Sequence, residues 1–427
     1  MGNLMRRRGN LRGRGRPVLI GLTALALTLT ACGSGDDDGG GGGSEGSDSS
    51  VDLDSIDQAT VDETVGRAFL TEDVAFDDLD PTVQETFQRA SIELTDEQLD
   101  KAFECWSETS CEIGDGDVTV GIAEAFGQNQ WRRISKMEAI LQALTYTEVG
   151  KIISTDAQGD LATFQSNVRS LAAQGATAIV SYNDFGAAAL PAFKAAQAQG
   201  AKISTYVGPV PDAPEDSLAS QVHGDVCAVG EEMAKVATDD LKLTGEVAIL
   251  NGTPGNPQGA TWNKCFEDSL GSGITVGTKL DTDWTLAGAF EAASALVSSG
   301  KTYSGIFYDY ADPIPQVIEA YDQAGQKPPA IVTWTANNGM AKVWEEAQGT
   351  DRAFPVYFTN GLNWQSRVSV TSVMGLLADD DVEADIIVPQ PFVQAEPGLY
   401  ESDRPDDYPG PSVLIPDDLL TKMLSAG

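Results

Sequence analysis

From residue 118 to the C-terminus, short apolar runs alternate with patterns typical of amphipathic helices. The apolar runs predict strands at Val118–Ile122, Lys151–Ser154, Ala178–Ser181, Lys202–Val207, Glu246–Leu250, Thr275–Leu280, Gly305–Tyr308, Ala330–Trp334, Phe354–Phe358 and Ile386–Val388. Between them, apolar side chains recur at helical spacing, as in Leu161, Phe164, Val168 and Leu171. Strands that alternate with helices predict parallel βαβ units. These units extend over about 310 residues, which is too long for a single hydrophobic core. We therefore expect an α/β fold with two doubly wound parallel-sheet lobes.

A purely helical pattern precedes these strands. Asp80 followed by Pro81 predicts a helix cap and first helical position, and Thr95 with Gln98 predicts a capping box. Residues 52–115 contain 19 acidic and 3 basic side chains. We expect an acidic helical extension there, which buttresses the lobes, although a spacer or a partner-docking surface stays open.

The N-terminal residues predict export. Six arginines precede an apolar run at Val18–Leu29: Arg6, Arg7, Arg8, Arg12, Arg14 and Arg16. A basic stretch followed by a short apolar run is typical of a signal peptide, and the run is shorter than the ~20 residues that span a bilayer. Leu29 to Cys32 resembles the bacterial lipobox, so we expect cleavage after residue 31 and a lipid on Cys32. An ordinary signal peptide with a chance cysteine is the alternative, and Sec and twin-arginine export both stay open.

The composition of the chain predicts a flexible tether and limits the class of binding partner. Residues 33–50 are nearly all Gly, Ser, Asp or Glu, so residues 32–51 should form a flexible tether between membrane and fold. Without the six N-terminal arginines the chain has 21 basic and 64 acidic residues, a net charge of about −43. Nucleic acid is excluded as a partner, because phosphate binding needs a basic surface.

The cysteines predict two disulfides. Exported chains commonly oxidise their cysteines, and four remain besides Cys32. Cys105 and Cys111 share one irregular segment, while Cys227 and Cys265 lie near the starts of two neighbouring predicted helices. We expect each of these two pairs to be joined. A metal site is not expected, because no paired C-x-x-C spacing occurs and the chain has one histidine.

Catalytic motifs are weak throughout the chain. His223 is the only histidine, so neither a Ser-His-Asp triad nor a His-rich metal centre can form. Residues 271–277 miss the dinucleotide fingerprint, and residues 255–259 lack the lysine of a phosphate loop. We therefore expect neither an enzyme nor a bound cofactor.

A set of segments is similar in order and spacing to a known family. They are Val120-Gly121-Ile122 with Asn129 and Trp131, Leu171 to Val180, Ala195 to Ala201, Gly224-Asp225 with Gly230, Gly245 to Gly252, and Gly305-Ile306-Phe307 with Ala320 and Ala324-Gly325. From Val118 to its end the chain resembles the type I periplasmic binding proteins, in the ribose-binding-like sugar group. The resemblance implies two lobes joined by a three-crossover hinge, with ligand in the cleft between them.

The resemblance also implies domain boundaries. The expected first lobe is 117–223 plus 360–389, and the second is 224–359 plus 390–427. The crossovers should lie near His223–Asp225, Thr359–Gly361 and Pro389–Pro391. The cleft position agrees with the general rule that ligands of open α/β sheets bind beyond the carboxyl ends of the strands.

The candidate ligand-binding residues follow the strands. The resemblance implies Asn129, Trp131, Tyr182, Asn183, Asp184, Trp284, Asp309, Tyr310, Thr335, Asn337 and Asn360. Aromatic side chains at strand ends add Tyr206 and Trp262. Rings there stack on the apolar faces of sugars, although a ring that packs a loop onto its lobe is the alternative at each position. Trp106 and Trp344 are interpreted as packing residues.

Departures from the family pattern limit the ligand. Tyr206-Val207-Gly208 stands where the ribose-binding pattern has Asp-Arg, and the arginine usual after the fifth strand is replaced around Ala260-Thr261. No guanidinium remains on those loops to grip vicinal hydroxyls, so ribose itself is not expected. A cationic solute bound by aromatic rings with Asp184 and Asp309 is the alternative.

The function expected from the sequence is that of an exported solute-binding lipoprotein. We expect it to be a monomer, anchored to the outer face of the cytoplasmic membrane, that binds a sugar-like ligand for an ABC permease. A receptor that presents its ligand to a membrane sensor fits the same features.

Overall fold

The computed structural model describes residues 53–127 and 129–426. The expected signal peptide (1–31), the lipid site Cys32 and the tether (32–51) lie outside the described residues. The α-helices are α1 (Gln58–Phe69), α2 (Pro81–Ala90), α3 (Asp96–Ser107), α4 (Gln130–Ala143), α5 (Leu161–Ala173), α6 (Leu190–Gln197), α7 (Val226–Lys235), α8 (Pro257–Ser269), α9 (Leu286–Ser298), α10 (Ile314–Gln323), α11 (Asn338–Ala347), α12 (Gln365–Leu377) and α13 (Asp417–Ala426). Within the described ranges, none of the helices has the length and apolar character needed to cross a membrane.

Two sheets organise the rest of the chain. The strands are β1 (Ser110–Glu112), β2 (Val118–Glu124), β3 (Val149–Asp156), β4 (Ala178–Tyr182), β5 (Lys202–Tyr206), β6 (Ser220–Gly224), β7 (Gly245–Asn251), β8 (Ile274–Asp281), β9 (Tyr303–Tyr308), β10 (Ala330–Thr333), β11 (Val356–Phe358), β12 (Asp385–Val388) and β13 (Val393–Gln394). The first sheet has the order β1-β3-β2-β4-β5-β6-β12 and the second β13-β11-β10-β9-β7-β8. Their pairing is parallel except at β1–β3 and β11–β13, which confirms the expected two-lobed α/β fold.

Helix starts are set by polar caps that directly follow the strands or their loops. Asn129, Asp160, Thr285 and Asn337 each accept a hydrogen bond from the backbone N–H three residues later. A side-chain oxygen at this position satisfies an N–H that the helix itself leaves unpaired. The caps therefore turn the chain sharply at the carboxyl ends of the strands, where a ligand site is expected.

The three expected crossovers are present. The chain passes from β6 in the first sheet to α7 beside the second, from β11 in the second sheet to α12 on the first, and from β12 in the first to β13 in the second. It then crosses once more, because Val413, Ile415 and Leu419 belong to the core of the first lobe. The placement of residues 390–427 in the second lobe is therefore wrong for the last part of the chain. Its apolar side chains share one core with those of α3 and α4.

The acidic extension is a buttress of the hinge region. Phe69 of α1 and Phe87 of α2 pack edge-on against Trp364, with ring centres 5.1 Å away in both pairs. The indole Nε1 of Trp364 donates to the backbone oxygen of Ala68 at 3.1 Å. Trp364 begins the segment that leads from the second crossover into α12, so the extension covers the hinge side of the first lobe.

Both expected disulfides are confirmed. Cys105 joins Cys111 with a Cα–Cα distance of 5.2 Å, and Cys227 joins Cys265 with a distance of 5.3 Å. The first ties α3 to β1, and the second ties α7 to α8.

Removing the Cys227–Cys265 bridge by a double serine substitution should lower the free energy of unfolding by about 2–4 kcal/mol. The bridge closes a loop with a sequence separation of 38, against 6 for Cys105–Cys111, and the chain entropy that a crosslink removes grows with loop length. Denaturant unfolding of both double-serine variants tests this. A larger loss at Cys105–Cys111 would contradict the loop-length argument.

Candidate functional site

A pocket lies between the two lobes, beyond the carboxyl ends of β2, β9, β10 and β11. Its walls are Leu70, Gln130, Trp131, Ile134, Tyr310, Asp312, Thr335, Ala336, Asn337, Phe358, Thr359, Asn360, Gly361, Asn363, Asp407, Pro409, Gly410, Pro411, Ser412 and Val413. Five of the sequence candidates are among them: Trp131, Tyr310, Thr335, Asn337 and Asn360. The fold thus brings residues that are more than 200 positions apart to one place.

Trp131 forms the wall from the first lobe. It lies in the first turn of α4, and its Nε1 donates to the backbone oxygen of Gly361 in the second crossover at 2.7 Å. Its ring meets the ring of Tyr182 edge-on at 5.6 Å. The hydrogen bond and the ring contact fix the position of the indole, which is only partly buried.

A partly buried carboxyl group organises the wall from the second lobe. Asp312 accepts hydrogen bonds from the Tyr310 hydroxyl and from Asn337 Nδ2, the latter at 3.0 Å. Burial raises the pKa of Asp312 above its ordinary value, while these hydrogen bonds lower it. Thr335 Oγ1 accepts from the backbone N–H of Ala311 at 2.8 Å.

The second crossover leaves two acceptors unpaired at the pocket. The side chains of Thr359 and Asn360 are buried, at 1% and 0% exposure. Thr359 Oγ1 and Asn360 Oδ1 have no hydrogen-bond partner among the described residues. A buried polar atom without a partner costs about 1–3 kcal/mol, so hydroxyl groups of a bound ligand would stabilise this part of the pocket.

A charged cluster extends the site along the first lobe. Arg132 Nη2 lies 2.8 and 2.9 Å from the two carboxylate oxygens of Asp184, and its guanidinium carbon lies 2.9 Å from the centre of the Tyr182 ring. Arg132 Nη1 lies 3.5 Å from Glu124 Oε2, and the Tyr206 hydroxyl donates to Glu124 Oε1. Burial raises the pKa of Glu124, against the opposing effect of Arg132. Burial also raises the pKa of Tyr182 to about 12.

A second cluster stands at the end of β9. Asp309 accepts from Trp284 Nε1 at 2.8 Å and from Trp262 Nε1 at 3.4 Å. Burial raises the pKa of Asp309 to about 6, although both indole hydrogen bonds lower it. Trp262 has no exposed surface, so in this structure it supports Asp309 and offers no stacking face. Trp284 is partly exposed.

Of the remaining candidates, Asn129 and Asn183 bond the backbone and Tyr206 bonds a side chain. Asn129 Oδ1 caps α4 by accepting from the N–H of Arg132 at 2.9 Å. Asn183 is buried and closes a turn, accepting from the N–H of Phe185 and donating to the oxygen of Gly186. Tyr206 is also buried, at 1% exposure. The two asparagines shape the loops beside the site, and Tyr206 ends β5 and donates to Glu124.

The sequence interpretation missed Glu124 and Arg132, and two signals were available. Glu124 is a single acidic residue at the end of an otherwise apolar strand. Arg132 lies in the first turn of α4, where the helix dipole favours negative charge. A cation at that position needs a compensating carboxylate, and the fold supplies two. The pocket residues 407–413 carried no signal, because only the fold brings them there.

Comparisons with known proteins agree with this architecture. A sequence model described as "Periplasmic binding protein domain" matches residues 120–352, more than half of the chain. A search of curated proteins found no match.

Solved structures of the same fold match at low identity. An ABC transporter solute-binding protein from Mycobacterium smegmatis with bound glycerol is 18% identical, with a TM-score of 0.55, over 65% of this chain and 94% of its own. One from Bacillus halodurans with bound myo-inositol is 16% identical, with a TM-score of 0.56, over 65% and 94%. The fructose-binding periplasmic domain of a hybrid two-component system is 14% identical, with a TM-score of 0.55, over 65% and 90%. These likenesses show the fold, and with the matched family model they confirm the expected resemblance. The chain belongs to the periplasmic binding protein family.

Proposed function

We propose that this protein is an extracytoplasmic solute-binding lipoprotein that binds a sugar or sugar-like polyol in the cleft between its lobes and delivers it to an ABC importer. The observation that carries the proposal is the pocket shared by both lobes, where Trp131 and Tyr310 provide rings and the hinge provides unpaired acceptors. Membership of the family implies a location outside the cytoplasm. The role is binding and release, without a chemical step.

The polar groups at the pocket favour a ligand with many hydroxyls. Thr359 and Asn360 are neutral acceptors, and Asn337 and Thr335 are neutral side chains on the facing wall. The compared proteins that were solved with glycerol and with myo-inositol hold polyhydroxylated molecules. Rings that stack on apolar sugar faces and neutral groups that bind hydroxyls are the two requirements of such a site.

The cationic alternative is weaker in this structure. Asp184 is already paired with Arg132, and the same guanidinium covers one face of Tyr182. A cation cage on the first lobe would need that face and that carboxylate to be free. Asp309 and Asp312 remain on the second lobe. Asp309 already accepts two indole hydrogen bonds, and Asp312 accepts from Tyr310 and Asn337.

Thermal-shift screening of the mature chain tests the ligand class. The probes are neutral sugars, amino sugars, polyols and quaternary amines. A ligand that binds only the folded state adds about 2.7 kcal/mol at a hundredfold excess over Kd. We expect a neutral or amino sugar to raise the melting temperature. A shift with quaternary amines alone would contradict the proposed ligand class.

Trp131→Ala and Trp284→Ala should each weaken binding of the identified ligand by about tenfold or more. Trp131 lines the pocket, and Trp284 presents a partly exposed ring beside Asp309 at the end of β9. Trp344→Ala is the control: its indole is buried in the second lobe and donates to the backbone oxygen of Phe354 at 3.1 Å. Calorimetry should find its affinity close to wild type and its stability lowered. Wild-type affinity in both cleft variants would refute the assignment of the cleft.

A sensor-coupled receptor is the second candidate function. The likeness to the periplasmic domain of a two-component system favours it, because importer-linked and sensor-linked proteins share this fold. Cross-linking in membranes of the native host distinguishes the two. Capture of a permease supports the importer, and capture of a sensor kinase supports the alternative.

Cys32→Ser should release the protein from the membrane fraction. The lipid expected on Cys32 is the only anchor that the sequence suggests, and the described helices include no span. Fractionation with wild type as control measures this. Wild-type levels of Cys32→Ser protein in washed membranes would contradict the lipid anchor.

A further inference from the structure

The chain after β13 first fastens to the second lobe. We name residues 398–414 the C-terminal strap. Asn338, at the start of α11, holds it: Nδ2 lies 2.9–3.2 Å from the backbone oxygens of Glu401, Arg404 and Pro405, and Oδ1 accepts from the N–H of Glu401. Asn338 is buried, at 4% exposure. Glu345 of α11 also holds the first half of the strap, because its Oε1 accepts from the N–H groups of Gly398 and Tyr400 at 2.6 and 3.2 Å.

Backbone hydrogen bonds extend this attachment toward the pocket. The N–H of Gly339 donates to the oxygen of Asp406 at 2.7 Å, and the N–H of Gly410 donates to the oxygen of Ala336 at 2.9 Å. A Cβ added at Gly410 would lie 2.8 Å from the Ala336 side chain and 2.9 Å from its backbone oxygen. The close approach at this point depends on glycine.

Beyond Gly410 the strap attaches to the first lobe and to the hinge. The Ser412 hydroxyl donates to the backbone oxygen of Asn360 in the second crossover. The N–H of Leu414 donates to Glu138 Oε1 of α4 at 2.8 Å, and Val413 lies in the first-lobe core. The strap therefore forms hydrogen bonds to both lobes.

The strap also borders the pocket and the extension. Its residues 409–412 line the pocket together with the second crossover, and Pro411 accepts from Arg67 Nε of α1 at 3.3 Å. The family model matches residues 120–352, so strap and extension both lie outside the matched region. They surround the hinge with contacts beyond those of the three crossovers.

From this geometry we infer that the C-terminal strap is a fourth hinge segment, which restricts the opening of the two lobes and thereby slows ligand exchange. Domain opening turns on a few segments that absorb the change in backbone angles. Separation of the lobes next to the second crossover must stretch or break the strap's bonds to Ala336, Asn360 or Glu138. The ligand-exchange part rests on the proposed function, whereas the restricted opening is a property of the ligand-free chain.

Distances between the lobes test the inference without ligand. Spin labels at Ala162→Cys on α5 and Ala295→Cys on α9, both exposed, report the distance between lobes by pulsed electron resonance. Asn338→Ala removes the hydrogen bonds of the Asn338 side chain and leaves those of Glu345 in place. Gly410→Val forces the strap away from Ala336. We expect longer and broader distance distributions in both variants than in the labelled wild type.

Gln348→Ala is the matched control. Its side chain also bonds backbone oxygens at the end of α11, those of Trp344 and Phe354, but none of the strap. It should keep the wild-type distances. Thermal melting identifies a variant that fails to fold. If Asn338→Ala does not fold, the distances in Gly410→Val test the inference. Unchanged distances in the folded strap variants overturn the inference.

The same variants separate this inference from the proposed function. With a ligand identified, Asn338→Ala should speed its dissociation by about tenfold, the factor that corresponds to the loss of one or two hydrogen bonds. If no sugar binds while the lobes still open further in the variants, the proposed function fails and the strap inference stands.

Discussion

Replacing Arg367 with methionine is expected to lower the free energy of unfolding by about 3–5 kcal/mol. Arg367 Nε donates to Glu138 Oε2, and their side chains are 4% and 0% exposed. Methionine keeps much of the apolar volume but leaves the Glu138 carboxylate without a cation. A buried charge that loses its partner keeps the cost of desolvation and loses the attraction that offset it.

Three parts of the fold meet at this ion pair. Arg367 belongs to α12, which follows the second crossover, and Glu138 belongs to α4. The second carboxylate oxygen of Glu138 accepts from the N–H of Leu414. The substitution should therefore loosen the attachment of the C-terminal strap as well as the packing of the two helices.

Denaturant unfolding of matched variants measures the effect. The double variant Arg367→Met, Glu138→Gln should recover much of the loss, because a neutral amide no longer needs a cation and can still accept from Leu414. Lys264→Met is the control, since the pair Lys264–Asp268 is exposed, at 74% and 64%, and should leave stability nearly unchanged. If Arg367→Met is as stable as wild type, the Arg367–Glu138 pair does not stabilise the fold in the way proposed.

The strands could be predicted from the sequence because most of them are apolar runs buried by helices on both faces. Strand β6 was missed because its pattern is polar: Ser220, Gln221 and His223 alternate with Val222. Of its buried polar side chains, Gln221 has partners outside the strand, whereas Ser220 Oγ has none among the described residues. Gln221 bonds the backbone of Val210 on one side and Asp385 of β12 on the other.

The residues of the candidate site could be predicted where they directly follow strands. They could not be predicted where contacts between distant parts of the chain determine their position. Trp131 and Asn337 reach the pocket because caps at the carboxyl ends of strands place them there. Trp262 follows the same rule along the sequence, yet α8 turns it into the core. The strap has neither an apolar run nor a motif, so its place beside the hinge follows only from the contacts of Asn338 and Glu138.

The final prediction concerns Arg132, whose loss should destabilise the protein more at pH 8 than at pH 5. Glu124 is 4% exposed and has Arg132 as its ion-pair partner, while the more distant charge of Lys136 also acts on it. Burial already holds its pKa above the ordinary value of 4.5, and Arg132→Met removes a charge that lowers it. The pKa of Glu124 should therefore rise further in the variant.

The sign of the pH effect follows from linkage. A carboxyl group whose pKa is higher in the folded than in the unfolded state binds more protons when folded, so stability falls as pH rises between the two pKa values. Where the pH lies below the folded-state value, the carboxyl of the folded variant is neutral and needs no cationic partner. The cost of Arg132→Met should thus be small near pH 5 and approach about 3–5 kcal/mol at pH 8, where an unpaired buried carboxylate remains.

Denaturant unfolding at both pH values, with a matched double variant, tests the argument. Arg132→Met, Glu124→Gln no longer has the Glu124 carboxyl, so the pH dependence that this carboxyl causes should be absent. Lys136, whose pKa burial lowers to about 8, is present in all variants and is common to the comparison. Asp184 contributes less to the effect, because its side chain is 38% exposed and solvent can replace its partner. An equal cost of Arg132→Met at both pH values would show that Glu124 is compensated by the Tyr206 hydroxyl and Lys136. Arg132 would then stabilise the lobe through its contact with Tyr182.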